Sequence, residues 1–138
     1  MKARIKLVEG VTFLAESGSG HSVTIDAAPE VGGRDLGARP MELVLMGTGG
    51  CSAVDVVLIL RKARQAISDC VVELEAERAP EDPKVFTRIH LHYIVTGKGL
   101  NPAQVERAIS LSKEKYCSAS IMLAKTALIT SDVEIREG

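Results

Sequence analysis

The 138-residue sequence predicts an α+β fold with antiparallel sheets around one long central helix, in the order βββ-α-ββ-α(α)-β. Three observations predict it. Short runs of alternating apolar and polar residues, the pattern of half-buried strands, cluster at the start, middle and end of the chain. The stretch from Met41 to about Ala66 is apolar nearly all round as far as Leu60 and reads as a central, surrounded helix. A strong helix start at Asn101 opens a second helical stretch. Antiparallel strands with helices inserted between them indicate α+β.

Ala3 to Val8 sets Ile5 and Leu7 against Arg4 and Lys6, a half-buried strand. Glu9-Gly10 is a turn, Val11 to Ala15 a second strand, and Glu16 to Gly20 a flexible turn. His21 to Asp26, with Val23 and Ile25 on one side, is a third strand, so residues 1–26 form a meander. Residues 27–40 are rich in Gly and Pro and read as a connector. Gly32, Gly33 and Gly37 resemble a phosphate loop only superficially, because no Gly-Lys-Ser/Thr follows and no strand leads straight into them.

Pro40 stands at or just before the first turn of the long helix, where a missing N–H is tolerated. Asp69 to Ala79 and Val85 to Thr96 alternate and are joined by Pro80–Pro83 as an antiparallel hairpin. In the second run Ile89, Leu91, Tyr93 and Val95 face one side, and Arg88, His90 and His92 the other. Asn101 is an N-cap, Pro102 takes the first helical position, and Gln104 is placed for a capping box. Val105, Ala108, Ile109, Ser112 and Tyr116 follow on one face. Ala119 to Leu123 continues that helix or starts another, and Thr126 to Arg136 is a closing strand. Residues 1–138 therefore read as one domain, with 41–138 carrying helix, hairpin, helix and strand.

Charge and composition exclude some functions. Lys+Arg number 17 against 18 Asp+Glu, which argues against a general nucleic-acid binder needing surplus cations. Only 3% of residues are aromatic and none is Trp, so base-stacking platforms are not expected. The N-terminal MKARIKLVEG has no apolar core of signal-peptide length, and the expected compartment is the cytoplasm. There, paired thiols do redox work or bind metal more often than they form structural disulfides. Leu43 to Leu60 is 18 residues long, near the lower limit for a spanning helix. Asp55 and three glycines inside it favour a buried helix of a soluble protein over a membrane span.

Three cysteines cannot all pair within one chain. Cys51 sits in MGTGGCSAVD. Each Gly in a helix interior costs about 1 kcal/mol relative to Ala, so Gly47, Gly49 and Gly50 imply close approach by another helix or by a substrate. The plainer alternative is helix packing around an inert buried thiol. Cys117 lies in KEKYCSAS at a helix junction, where Lys113 and Lys115 would favour thiolate, unless the segment is simply a solvated turn. Cys70 alternates with Val72 and Leu74 and reads as core. His90 and His92 could ligate metal, but Arg88 shares their face and no third ligand is apparent, so neither metal nor cofactor is expected.

The segment ARPMELVLMGTGGCSAVDVV, with a second cysteine in EKYC, resembles the OsmC/Ohr family of organic hydroperoxide resistance proteins, and its YhfA-type branch most of all. The resemblance covers essentially the whole chain. It implies an intertwined homodimer and a two-cysteine peroxidase in oxidative stress defence. It implies that Cys51 is the peroxidatic thiol, Cys117 the resolving thiol, and Glu42 an orienting residue. It also implies an organic hydroperoxide as substrate and an external dithiol as reductant, with no nucleic acid and no membrane. Glu42 and Cys51 are nine positions apart, about 13–14 Å along a continuous helix, so any contact between them is expected to cross the dimer.

Three positions depart from the family pattern. The Arg expected in the first strands has no counterpart there, and Arg34 or Arg39 in the connector could replace it. Ser118 stands where the peroxidases carry Pro. Asp55 shares the helix face of Cys51, and a carboxylate there disfavours thiolate unless a cation pairs with it. The competing expectation is a non-enzymatic dimer of the same fold, either holding a small apolar ligand near Gly47 to Cys51 or playing a structural, stress-associated role.

Overall fold

A computed structural model describes all 138 residues, which divide into two compact units, Met1–Val44 and Leu45–Gly138. In the first unit β1 (Ala3–Glu9), β2 (Thr12–Ser17) and β3 (Ser22–Asp26) form an antiparallel sheet in chain order. The expected alternation is present, yet β1 is exposed along its whole length, with Ile5 and Leu7 both half open to solvent. The half-buried expectation fails because nothing within the first unit covers that strand.

The connector after β3 is ordered by one buried carboxylate. Asp26 accepts hydrogen bonds from the backbone N–H groups of Ala27 and Arg34, each at 2.9 Å, and of Leu36 at 3.2 Å. The Thr12 hydroxyl adds a fourth at 3.2 Å. These bonds, that from Arg34 foremost, hold the Asp26 carboxyl below its usual pKa range against the opposing effect of burial. A side chain at Gly33 would strike the Ala27 carbonyl. The loop's donors therefore turn inward onto a carboxylate, which is the opposite of a phosphate cradle.

Helix α1 runs from Pro40 to Lys62. Glu42, three positions past the N-cap, accepts from the Arg39 N–H at 2.8 Å, the reach-back half of a capping box. The helix stops short of the Ala66 expected from sequence. Arg64 takes the left-handed conformation (φ 57°), Gln65 N–H donates to Leu60 O at 2.9 Å, and Arg64 N–H donates to Arg61 O at 3.0 Å. That is a Schellman cap built on Arg rather than Gly.

In the second unit β4 (Ala66–Arg78), β5 (Phe86–Lys98) and β6 (Leu128–Glu137) form a sheet in that order. The β4–β5 hairpin is antiparallel, as expected. β6 instead pairs with β5 in parallel, from Arg88 opposite Leu128 to Gly97 opposite Glu137. The physical reason is the long helical crossover between them, which returns the chain to the end of the sheet where β5 began. Ile89, Leu91, Tyr93 and Val95 of β5 point into the core with Val56 and Leu60 of α1.

The other face of α1 is open. Val54 and Leu58 are each 58% exposed, and Gly47 and Gly50 lie on the same side with free space above them. The expectation of a fully surrounded helix thus fails within one chain. By length and composition alone α1 could also cross a bilayer.

The crossover is α2 (Pro102–Leu111), a π-helical turn (Ser112–Tyr116) and α3 (Ser118–Leu123). Asn101 caps α2 by accepting from Ala103 N–H at 2.9 Å. The capping-box partner differs from expectation: the Asn101 N–H donates to Gln65 Oε1 at 2.8 Å rather than to Gln104. The π turn shifts the helical phase, so Val105, Ala108, Ile109 and Ser112 are buried while Tyr116 turns out to solvent.

Candidate functional site

Cys51 lies in the middle of α1, half-buried, on a helix held tightly to the sheet. Its neighbour Gly49 faces β4: a Cβ added there would come within 2.5 Å of Leu74 Cδ1. One of the three helix glycines therefore serves close packing, and the other two lie on the open face.

Cys117 is the residue between the π turn and α3. Its N–H closes the π turn on Ser112 O at 2.7 Å. Its side chain is fully buried and caps α3, accepting from Ser120 N–H at 3.4 Å. On the far side its thiol donates to Thr48 O of α1 at 3.9 Å, a long contact suited to sulfur. The fold brings Cys117 beside Cys51: its sulfur lies against Thr48 O, one turn before Cys51 on α1, near enough for the Cys51 thiol to act on its pKa. Burial pushes the Cys117 thiol above its ordinary pKa, the Ser120 bonds oppose this, and the contact with Cys51 adds to the rise.

The lysines near Cys117 in sequence do not stabilise its thiolate. Lys113 reaches Ser131 at 3.3 Å and Lys115 lies 5.3 Å from the Tyr116 ring centre. Cys70 lies on the inner face of β4, and burial followed by the Asp69 charge raises its pKa.

The remaining candidates are placed as follows. Glu42 caps the start of α1, and the helix is unbroken between it and Cys51. Arg34 reaches Thr12 Oγ1 at 3.3 Å and Glu9 Oε2 at 3.5 Å. Arg39 contributes its backbone N–H to Glu42. Asp55 meets no cation: its Oδ2 accepts from the Ser112 hydroxyl at 3.0 Å.

Sequence reading missed the hydroxyl chain behind the cysteines. Ser52 Oγ lies 2.6 Å from Tyr93 Oη and 2.8 Å from Ser112 Oγ. All three residues are buried. The available signal was a polar residue on each of three faces that are otherwise apolar. Burial raises the Tyr93 hydroxyl above its ordinary pKa, and the bond to Ser52 works the other way.

A cavity of about 550 Å³ opens beside Asp55, walled by Leu58, Ile59 and Leu111, with Lys62 and Arg107 among its lining. It lies past Cys51 along α1, not at the Gly47 to Cys51 stretch expected from sequence. On the other face of the sheet, His90 Nε2 and His92 Nδ1 each lie 2.8 Å from Asp132 Oδ1.

Residues 32–132 match the family model OsmC, described as OsmC-like protein. The chain is 53% identical over 135 residues to Protein YhfA of Escherichia coli (strain K12), covering 98% of each. Among solved structures it is similar to a hypothetical protein from Aquifex aeolicus VF5, with a TM-score of 0.87 and 31% identity over 99% of this chain and 96% of that one. It shares its fold with the organic hydroperoxide resistance protein OhrB of Bacillus subtilis, at a TM-score of 0.65 and 17% identity over 97% and 98% of the two chains. The α+β order, the paired cysteines on α1 and the crossover, and these matches lead to one conclusion: the chain belongs to the OsmC-like family.

Proposed function

We propose that this protein is a cytoplasmic thiol-dependent peroxidase that reduces organic hydroperoxides through Cys51 and Cys117. The observation that supports this reading is the seating of the Cys117 thiol against α1 at Thr48 O, 3.9 Å away and one turn before Cys51, so that the two thiols come from separate elements to neighbouring positions. Cys51 is the more accessible of the two and takes the peroxidatic role. Its thiolate attacks the O–O bond, forming Cys51 sulfenic acid and, with one proton, an alcohol. The Cys117 thiol then condenses with the sulfenic acid, releasing water and leaving a disulfide. An external dithiol reduces that disulfide by exchange and is itself oxidised.

The working unit is a homodimer. The open apolar face of α1 and the exposed apolar residues of β1 both call for a covering partner, and a second copy supplies it more readily than a bilayer does for a helix carrying Asp55. In that dimer Glu42 orients the Cys51 of the opposite chain, and Arg34 or Arg39 takes the place of the family's strand Arg.

The test is a thiol count. Reduced protein mixed with one equivalent of cumene hydroperoxide loses two thiols per chain, and Cys51→Ser abolishes the loss. An unchanged count overturns the reading.

A second reading is favoured by the aliphatic cavity at Asp55, whose volume falls within the usual range for a small-ligand site. On that reading the protein is a non-enzymatic dimer that binds a small apolar molecule. It predicts saturable binding of an alkyl ligand by protein whose thiols do not respond to hydroperoxide.

A further inference from the structure

Two cross-links join α1 to the π turn. The first is the contact of the Cys117 thiol with Thr48 O at 3.9 Å, one turn before Cys51. The second, one residue past Cys51, is the hydroxyl contact of Ser52 with Ser112 at 2.8 Å. Ser112 belongs to the turn twice over: its carbonyl accepts the Cys117 N–H at 2.7 Å, and its hydroxyl donates to Asp55 at 3.0 Å.

The direction of the chain follows from counting hydrogens. Each hydroxyl carries one. The Ser112 hydroxyl donates its one hydrogen to Asp55 Oδ2. Ser112 must then accept from Ser52, and Ser52 from Tyr93. Every hydroxyl hydrogen is committed, and the line Tyr93 to Ser52 to Ser112 to Asp55 runs one way. Charge-assisted bonds such as the last are about twice as strong as neutral ones, so Asp55 is the anchor that fixes the rest. Without it the Ser112 hydroxyl is free to rotate, and the turn loses one of its ties to α1.

We propose that Asp55 is a positioning residue for Cys117, acting through Ser112 to hold the π turn so that the two cysteine sulfurs stay within bonding reach. This rests on the redox-pair reading above but assigns Asp55 to disulfide closure alone. The attack of Cys51 on peroxide does not depend on that positioning. The carboxylate that departs from the family pattern therefore has a use.

The experiment separates the two steps. Reduced protein is mixed with one equivalent of cumene hydroperoxide and quenched with dimedone at intervals, which traps sulfenic acid. In Asp55→Ala the rate at which Cys51 sulfenate forms does not fall below the wild-type value, because loss of a nearby carboxylate can only favour the thiolate, while the sulfenate's lifetime before closure lengthens about tenfold, on the order of 1.4 kcal/mol. Asp55→Asn, whose amide oxygen still accepts from Ser112, keeps closure within about threefold of wild type, a loss below roughly 0.7 kcal/mol. Ser112→Ala behaves as Asp55→Ala. Unchanged sulfenate lifetime in Asp55→Ala overturns the proposal, and so does an equal slowing of formation and closure.

A second measurement stands apart from peroxidase activity. In glutathione redox buffer, the effective concentration for Cys51–Cys117 disulfide formation drops about tenfold in Asp55→Ala and is retained in Asp55→Asn. If wild type forms this disulfide in the buffer but no sulfenate with hydroperoxide, the peroxidase reading fails while the positioning role of Asp55 is still decided by the variants. Equal effective concentrations in all three proteins overturn it.

Discussion

Cys117 lies beside Cys51, but the two thiols are unequal: Cys117 is fully buried and Cys51 only half so. Alkylation needs thiolate and access, and burial denies Cys117 both. With iodoacetamide at pH 8, Cys51 is expected to react first and Cys117 at least tenfold more slowly, a ratio of roughly 1.4 kcal/mol or more in barrier. Peptide mapping by mass spectrometry reads the order. Faster labelling of Cys117 would assign the peroxidatic role the other way round.

The dimer proposal makes a prediction about the open face of α1. Val54 is 58% exposed within one chain, so on a monomer Val54→Glu should shift stability by no more than about 0.5 kcal/mol. Against a partner helix the same change buries an unpaired carboxylate and should dissociate the dimer. Gly50→Ala is the complement: it gains up to about 1 kcal/mol of helix propensity in a lone chain but obstructs a close helix partner. Sedimentation velocity across a dilution series distinguishes the cases. Dimers unaffected by Val54→Glu would place the interface elsewhere.

The Arg64 cap predicts a stabilising substitution. A non-glycine residue at φ 57° carries a steric cost of roughly 1–2 kcal/mol. Arg64→Gly removes it, less the larger backbone entropy that Gly loses on folding, for a net gain of about 0.5–1 kcal/mol. Thermal melts should show Tm raised by roughly 1–4 °C.

The histidines on the outer face of the sheet predict a pH signature. The Asp132 hydrogen bond, with lesser help from Glu73 and Glu134, raises the His92 pKa above 6.5, and the same contact lowers that of Asp132 below 3.8. A raised folded-state value means that the His92 contribution to stability is complete below about pH 6.5 and is lost as pH rises through the raised value. The lowered Asp132 value means that its contribution is lost as pH falls through that value. The pairing is therefore strongest in between. An NMR titration should find His92 titrating above 6.5, and Asp132→Asn should return it toward that value.

How much of this was legible beforehand follows the range of the forces involved. The hairpin faces and the Asn101 cap depend on neighbours a few residues away, and both were readable. The Schellman cap was not, because Arg64 carries none of the turn signal that Gly would. The parallel seat of β6 depends on how a long crossover packs, which no local pattern encodes. The exposure of β1 and of one face of α1 runs against the apolar pattern, because alternation marks which side of an element is apolar and not what covers it. In the site, the resemblance pointed to the two cysteines. Ser52, Tyr93 and Ser112 come from three elements, and only the fold aligns their hydroxyls.

Asp26 sets what the connector can become over evolutionary time. It grips the peptide N–H groups of Arg34 and Leu36 and leaves the side chains at those positions uncommitted to it. Drift at 36 should therefore range widely over residue types, with proline alone barred because it has no N–H to offer. An inserted residue between 27 and 36 would pull at least one donor off the carboxylate. The segment that looks in sequence like the most disposable part of the chain is one whose length is held more strictly than its letters.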